Sequence, residues 1–340
     1  MKDVYPIATP LRGTAYYDSD CGVCRLVLAG GSGFLGTLLA RYFLIRGWEV
    51  VVLTCRPPTG RKSVPGARYC HWDGESPGPW QKELDGAEAL INLAGQSVNC
   101  RYTRKNRERL TASRLRPTRL LGKILPTLER PPRVWMNAST ATLYRHTYGD
   151  PWREDGEIGA HPEAKDAFSI ELATAWEEAF REAGEIPGVR KILLRSAMVL
   201  GRNRDHNNVF AVLRRLTVTG LGGTMGQGRQ YVSWIHETDF CRAVEWLIDQ
   251  ADVEGPVNLA APNPLNNREM MREFREALGV PFGLPAPGWL LEIGAFFLRT
   301  ETELIIKSRR VIPRLLGQRG FTFTFPTMRE AVRNLRRGGE

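Results

Sequence analysis

Three glycines at three-residue intervals mark the chemistry of this chain. Gly30, Gly33 and Gly36 stand in RLVLAGGSGFLG, residues 25–36, with Gly31 as an extra glycine after the first. Such a run between a strand and a helix cradles a phosphate. Gly30 allows the tight turn, Gly33 lets the backbone approach a pyrophosphate, and Gly36 lets the helix pack on the sheet. The helix that follows adds free N–H donors and a partial positive charge. A second candidate is the pair Cys21 and Cys24, the only C-x-x-C among six cysteines. No second pair completes a four-ligand zinc site, so no metal is expected.

These residues need elements to hold them. RLVLAG reads as a buried strand, and FLGTLLARYFLIRG as a helix that Gly47 stops. EVVVLT, ARYCHWD, AEALINLAG, RVWMNAST and VRKILLRSAMVLG supply the second to sixth strands. Between the last two, FSIELATAWEEAFREAG sets Phe168, Leu172, Ala175, Trp176 and Ala179 on one helical face, ended by Gly184. Strand–helix alternation at this spacing predicts an α/β fold: a doubly wound parallel sheet, Rossmann-like, with ligands outside the carboxyl ends of its strands. Past Gly201 the pattern loosens into the glycine-rich loop GLGGTMGQGRQ, a strand in PVNLAAP, and a helix in NNREMMREFREALG capped by Asn266 or Asn267. Proline-rich VPFGLPAPG separates a last module with FTFTFP and a basic helix. The expected division is a tail at 1–24 and a nucleotide domain at 25–201, completed by about 236–260. A smaller substrate lobe takes 202–235 and 261–340, its C-terminal module beginning near 283.

Composition narrows the classes. In 340 residues, 42% are apolar and 25% charged, the proportions of an ordinary globular protein with a sizeable core. No apolar run is long enough to span a membrane, and the start lacks a secretory signal, so a cytoplasmic protein is expected. Lys and Arg exceed Asp and Glu by 47 to 37, a net charge of +10, which favours anionic partners or simply a solubilising surface. The basic stretch RYTRKNRERLTASRLRPTR matches no zinc finger, basic zipper or RNA-recognition signature, so nucleic acid is not the expected partner.

AGGSGFLG resembles the T-G-G-x-G-F-I-G of extended short-chain dehydrogenase/reductases, with Ala29 in place of the threonine. NLAG (92–95), STATLY (139–144), LRSAMVLG (194–201) and WIHETDF (234–240) follow in that family's order. The chain is most similar to the atypical epimerase-family branch. That branch's pattern is echoed by Arg101–Thr103, Lys105, Ser113, Arg114 and Thr118, and its C-terminal module of unknown function by VIPRLLGQRGFTFTFP. YYDSDCGVC also resembles the opening of a thiol–disulfide oxidoreductase family. That likeness covers nine residues and runs into a strand instead of the helix a reactive thiol needs, so no redox role is read there.

The resemblance implies a cofactor site of Gly30, Gly31, Ser32, Gly33, Phe34, Leu35, Gly36, Thr54, Arg56, Leu93, Ala94 and Gly95. Family members that use NAD end the second strand with an acid. Here Thr54 holds that position and Arg56 follows, a side chain that can pair with a 2′-phosphate, so NADP(H) is expected in preference to NAD. Active members set a Tyr-x-x-x-Lys beside a Ser or Thr at the end of the fifth strand; tyrosine moves the proton, lysine lowers its pKa, and the hydroxyl steadies the oxygen. Thr140 supplies the hydroxyl, but Phe168 and Leu172 occupy the pair's spacing. Tyr144, His146, Tyr148 and Lys165 are candidate substitutes, while Arg195, His236 and Asp239 are expected toward the substrate lobe, with His236 orienting Asp239. Two classes follow. One is an NADP(H)-dependent, epimerase-like oxidoreductase with unconventional catalysis, acting on a nucleotide-linked or acidic metabolite. The other is a catalytically silent NADP(H)-binding sensor or interaction protein. The retained Thr140 and the substrate lobe tilt the reading toward the enzyme.

Overall fold

Leu26–Ala29 are wholly buried because the strand they belong to is covered on both faces, which is why its sequence is a continuous apolar run and not an alternation. The computed structural model describes residues 23–57, 59–60, 63–202, 208–288 and 307–337. Its central sheet has seven strands. In chain order these are β1 (Arg25–Ala29), β2 (Glu49–Thr54), β3 (Arg68–His71), β4 (Ala89–Asn92), β5 (Val134–Thr140), β6 (Arg190–Ser196) and, after three short strands, β10 (Gly255–Leu259). Their spatial order is β10-β6-β5-β4-β1-β2-β3, all parallel. The order reverses between β1 and β4, and the crevice beyond their carboxyl ends is where such a sheet binds its ligand.

Helices cover both faces. Helix α1 (Phe34–Ile45) and α5 (Glu237–Asp249) pack on one side, in the core that also holds Leu26, Leu28, Val50, Val52 and Ile91. The other side carries α2 (Arg104–Ile124) and α3 (Ala167–Arg181), which bury Leu120, Leu121 and Phe180 against Val27, Leu90 and Trp135. The remaining helices are α4 (Val209–Val218), α6 (Asn267–Leu278), α7 (Arg314–Gln318) and α8 (Met328–Arg337). Helices α4, α6 and α8 share a separate core through Phe210, Phe274, Met271 and Val332. Helix α6 is capped by Asn266, whose side chain accepts from the Glu269 N–H while Glu269 reaches back to Asn266. Among the described residues no helix is long and apolar enough to cross a membrane.

Two expectations change. The run VRKILLRSAMVLG is not one strand: it breaks at Ala197, and β7 (Met198–Leu200) leaves the sheet to pair with β9 (Trp234–His236). Apolar character continues across the break because both pieces are half-buried or buried, so composition carries no sign of it. The segment 280–288 does not merely separate modules. Leu284 donates to the Gly220 carbonyl, Ala286 to the Thr224 carbonyl and Gly226 to the Ala286 carbonyl, which closes the glycine-rich loop against it. Gly223 is needed there, since a Cβ would collide with the Leu284 carbonyl. The last strands, β8 (Tyr231–Val232) and β11 (Leu265–Asn266), pair antiparallel. Cys21 lies outside the described residues.

Candidate functional site

The glycine run occupies the turn from β1 into α1, at the reversal of the sheet. Gly30 has φ +71°, and a Cβ on it would stand 2.5 Å from the Cα of Ala94, so the turn nests against the β4 exit. Gly36 faces the Gly31 backbone so closely that a side chain would overlap the Gly31 carbonyl. Gly33 differs: it has extended backbone and nothing within 4 Å of a would-be Cβ. It is the N-cap of α1, yet no side chain caps the helix and no acid lies in its first turn. Helices α5 and α6 are both capped by side chains, from His236 and Asn266. The uncapped N-terminus of α1, with open space beside Gly33, is the arrangement that receives an anion.

The rim is built by the next strands. The Thr54 hydroxyl, buried at the end of β2, donates to Ser32 Oγ at 3.1 Å and accepts from the Arg56 N–H at 3.3 Å. That ties the phosphate turn to the β2 exit and leaves Arg56 exposed beside it. On the other flank, Leu93, Ala94 and Gly95 leave β4 over a buried polar node. Asn92 Nδ2 donates to Asn137 Oδ1 at 2.6 Å and to Thr118 Oγ1 at 3.0 Å, while its Oδ1 accepts from the Ala94 N–H at 3.1 Å. Asn92 and Asn137 are register partners on β4 and β5. Sequence reading missed this node, although ALIN and VWMN each end an apolar triplet in asparagine, a residue that a buried strand keeps only for its hydrogen bonds.

Thr140 closes β5 with its hydroxyl accepting from the Thr142 N–H at 3.1 Å. Phe168 and Leu172 lie in an apolar cluster with Leu110, flanked by Val98, Cys100 and Tyr102; the Tyr102 and Phe168 rings meet edge to face at 4.8 Å. The candidate substitutes are scattered. Tyr144 is fully buried, donates its hydroxyl to Asn258 Oδ1 at 2.8 Å, and is pushed up to about 12 by burial. His146 is buried with Nδ1 accepting from the Ser308 N–H, and burial lowers its pKa. Tyr148 donates to Glu163, and Lys165 stands exposed with φ +52°.

Arg195 does not face a substrate lobe. Its guanidinium is buried and forks onto Glu177 through Nε and Nη2, both at 2.9 Å, while Nη1 donates to Tyr144 and to the Glu154 carbonyl. Protein partners therefore occupy it. His236 and Asp239 both contact the segment around Phe325, but not as a pair. His236 caps α5, its Nδ1 accepting from the Thr238 N–H at 3.0 Å; burial holds it neutral, with its pKa lowered to about 3. Asp239 instead accepts from Arg242 and from the backbone N–H groups of Thr324 and Phe325. The expected orientation of Asp239 by His236 is thus replaced by an anchor for the FTFTFP segment. Among the described residues no cluster of three or more ligating side chains could hold a metal.

Residues 26–260 match the model of the NAD dependent epimerase/dehydratase family, and residues 286–335 match that of a domain of unknown function, DUF1731. Epimerase family protein SDR39U1 of Homo sapiens is 29% identical over 314 residues, covering 92% of this chain and 99% of the relative. The crystal structure of human SDR39U1 (isoform 2) with NADPH superposes with a TM-score of 0.78 at 26% identity, covering 92% of this chain and 99% of that one. A nucleoside-diphosphate sugar epimerase from Corynebacterium glutamicum has a TM-score of 0.69 at 25% identity, covering 92% of this chain and 58% of that one.

Proposed function

The chain belongs to the NAD dependent epimerase/dehydratase family, and from that premise we propose that it binds NADP(H) in the β1–β4 crevice and acts as an epimerase-like oxidoreductase. The observation that carries this reading is the uncapped glycine turn at the reversal of the sheet, with room at Gly33 for a phosphate and bare N–H donors behind it. Gly30–Gly36 would hold the diphosphate, Leu93–Gly95 the far side of the dinucleotide, and Thr54 with Arg56 the adenosine ribose. A carboxylate is missing at Thr54, and the exposed Arg56 can pair with a 2′-phosphate, which supports NADP(H) over NAD. The relative crystallised with NADPH supports the same cofactor. When bound, the nicotinamide supplies hydride chemistry.

The chain's own contribution is orientation and a hydroxyl. Thr140 uses its oxygen to accept from Thr142, so its O–H remains to donate to a substrate oxygen. The substrate class is a nucleotide-linked or acidic metabolite, in keeping with the sugar-nucleotide relative and the basic surface. Residues 202–235 and 261–340 would form the lobe over it, in a cytoplasmic protein. A second reading, a silent NADP(H)-binding sensor, is favoured by Phe168 and Leu172. Their apolar cluster offers no proton at the position of the family's tyrosine and no charge at that of its lysine.

Titration with NADPH and NADH tests the cofactor: NADPH should bind at least tenfold more tightly, and R56E should erase the difference. Equal affinities in the wild type would defeat the assignment. NADPH oxidation over a panel of nucleotide sugars separates the two readings, since turnover establishes the enzyme and tight binding without turnover the sensor.

A further inference from the structure

The seam between α2 and α3 carries a charge that no carboxylate among the described residues answers. Arg114 lies in the middle of α2 with its guanidinium against Gly95, where an added Cβ would stand 3.1 Å from Cζ and 3.3 Å from Nε. Nη2 donates to the Gln96 carbonyl at 2.9 Å and Nη1 to the Leu110 carbonyl at 3.1 Å, and the Trp176 ring centre lies 5.2 Å from Cζ. All of these partners are neutral. Nε–H has no hydrogen-bond partner among the described residues, and no carboxylate there pairs with Arg114. Burial pulls its pKa down to about 10, opposed only by Tyr102 and Cys100.

Arg114 is half-buried, and the fully buried cations among the described residues are answered. Arg195 has Glu177, Arg242 has Asp239 and Lys307 has Asp166. Arg190, which also lacks a close acid, donates to the Leu247, Ile248 and Val253 carbonyls at the C-terminal end of α5, where a helix presents negative charge. Arg114 has no such substitute, because Leu110 is a mid-helix residue whose carbonyl already belongs to α2. A half-buried guanidinium without a counter-charge is partly desolvated, and an anion beside it would offset that cost.

Its position says where that anion comes from. Gly95 and Gln96 leave β4 on the flank of the crevice opposite β2, so Arg114 stands behind the wall that faces the ligand. Helix α2 adds to the field: its first turn carries Arg104, Lys105 and Arg107 and no acid, cations at the end of a helix that disfavours them. Arg107 also reaches over the Phe168 ring, 5.0 Å from its centre, on the same seam.

We propose that Arg114, beside the Gly95 backbone, forms an anion site at the α2–α3 seam that takes a phosphate oxygen of the molecule bound in the crevice. The proposal rests on the nucleotide-site reading of that crevice. A guanidinium fork matches a phosphate bidentately, which a lysine cannot do. The phosphate belongs either to the dinucleotide or to a second, phosphorylated ligand beside it.

Calorimetric titration of wild type, R114M and R114K with inorganic pyrophosphate, free and saturated with NADPH, tests the site. R114M should bind at least one of pyrophosphate and NADPH tenfold or more weakly, with R114K between it and the wild type. Pyrophosphate binding that survives NADPH saturation and is lost in R114M assigns the phosphate to a second ligand. Binding that NADPH abolishes, with NADPH itself weakened in R114M, assigns it to the cofactor. R114M that melts cooperatively and binds both probes like the wild type overturns the proposal. Should R114M fail to fold, the ¹⁵N Nε resonance of Arg114 in the wild type, assigned by its loss in R114K, decides: a shift on adding pyrophosphate or NADPH supports the site, and none overturns it. A wild type that ignores NADPH would remove the proposed function while leaving the pyrophosphate result on Arg114 standing.

Discussion

Glu177 gathers more of the buried polar chemistry than any residue read as catalytic. Its Oε1 accepts from Ser139 at 2.6 Å and from Arg195 Nε at 2.9 Å, and its Oε2 accepts from Arg195 Nη2 and Arg181. Burial alone would raise its pKa, but the hydrogen bonds and charge of Arg195 outweigh that and hold it below the usual carboxylate value. The unfolded chain therefore takes up this proton more readily than the folded one. The resulting stability is present above the unfolded pKa of about 4.3 and is lost as pH falls through the folded value. E177Q should cost about 3–5 kcal/mol at neutral pH, because it strands the Arg195 charge in a site built for a pair. It should also flatten the acid limb of the stability curve. Urea denaturation of both proteins at pH 7 and pH 4 checks this; an equal acid loss in E177Q would show that other carboxylates carry it. Nothing in the sequence foretold the pairing, since the partners come from β5, α3 and β6 and only the sheet brings them together.

Helix α1 separates two jobs that its glycines share in sequence. A methyl at Gly36 meets the Gly31 backbone, so G36A should lose about 1–3 kcal/mol of stability through overpacking, and NADPH affinity with it. A methyl at Gly33 meets nothing, and the backbone there, φ −80°, suits any residue. G33A should keep its melting temperature, with a change within about 0.5 kcal/mol, yet bind NADPH at least tenfold more weakly because the methyl fills the space a phosphate needs. Thermal melts beside NADPH titrations read both quantities, and unaltered NADPH binding by G33A would remove the cradle from the site. The spacing of these glycines was legible because strand, turn and helix are local. The end of β6 was not. Ala197 opens the apolar stretch AMVL directly after Arg195 and Ser196, with no glycine or proline to mark a break, and the switch of β7 to β9 depends on residues more than thirty positions away. Arg114 was visible only as one member of a family pattern, since its lack of a counter-charge is a fact of three-dimensional surroundings.

At the scale of the molecule, the segment from residue 307 joins the core of the central sheet to the separate core of α4, α6 and α8. Lys307 pairs with Asp166 at 2.5 Å, both wholly buried, and donates to the Thr142 carbonyl, so it locks the entry to α3. Backbone bonds from Arg309 to Tyr231, and between Trp152 and both Arg310 and Ile312, lay the following residues between Tyr231 and Trp152. Leu316 and Phe321 then enter the same core as β1 and α1, while α8 packs on α6. The sequence marked this region as a separate module because its composition changes, but the strap works through backbone bonds, which leave no trace in residue type. Asp239 is the clamp at its far end, fully buried and accepting from the Thr324 and Phe325 N–H groups at 2.8 Å each and from Arg242 at 3.0 Å. D239A removes the carboxylate paired with Arg242 and the acceptor of two strap N–H groups at once. The expected cost is about 3–5 kcal/mol, from the stranded charge together with the unpaired N–H groups. Hydrogen exchange locates it: the Thr324 and Phe325 amides should lose protection together with α8, which follows them directly, while β1 and β4 amides stay slow because their bonds lie within the sheet. Unchanged protection at Thr324 and Phe325 would show that packing of Phe321 alone seats the strap. Loss spread evenly through β1 and β4 would make the two lobes a single cooperative unit.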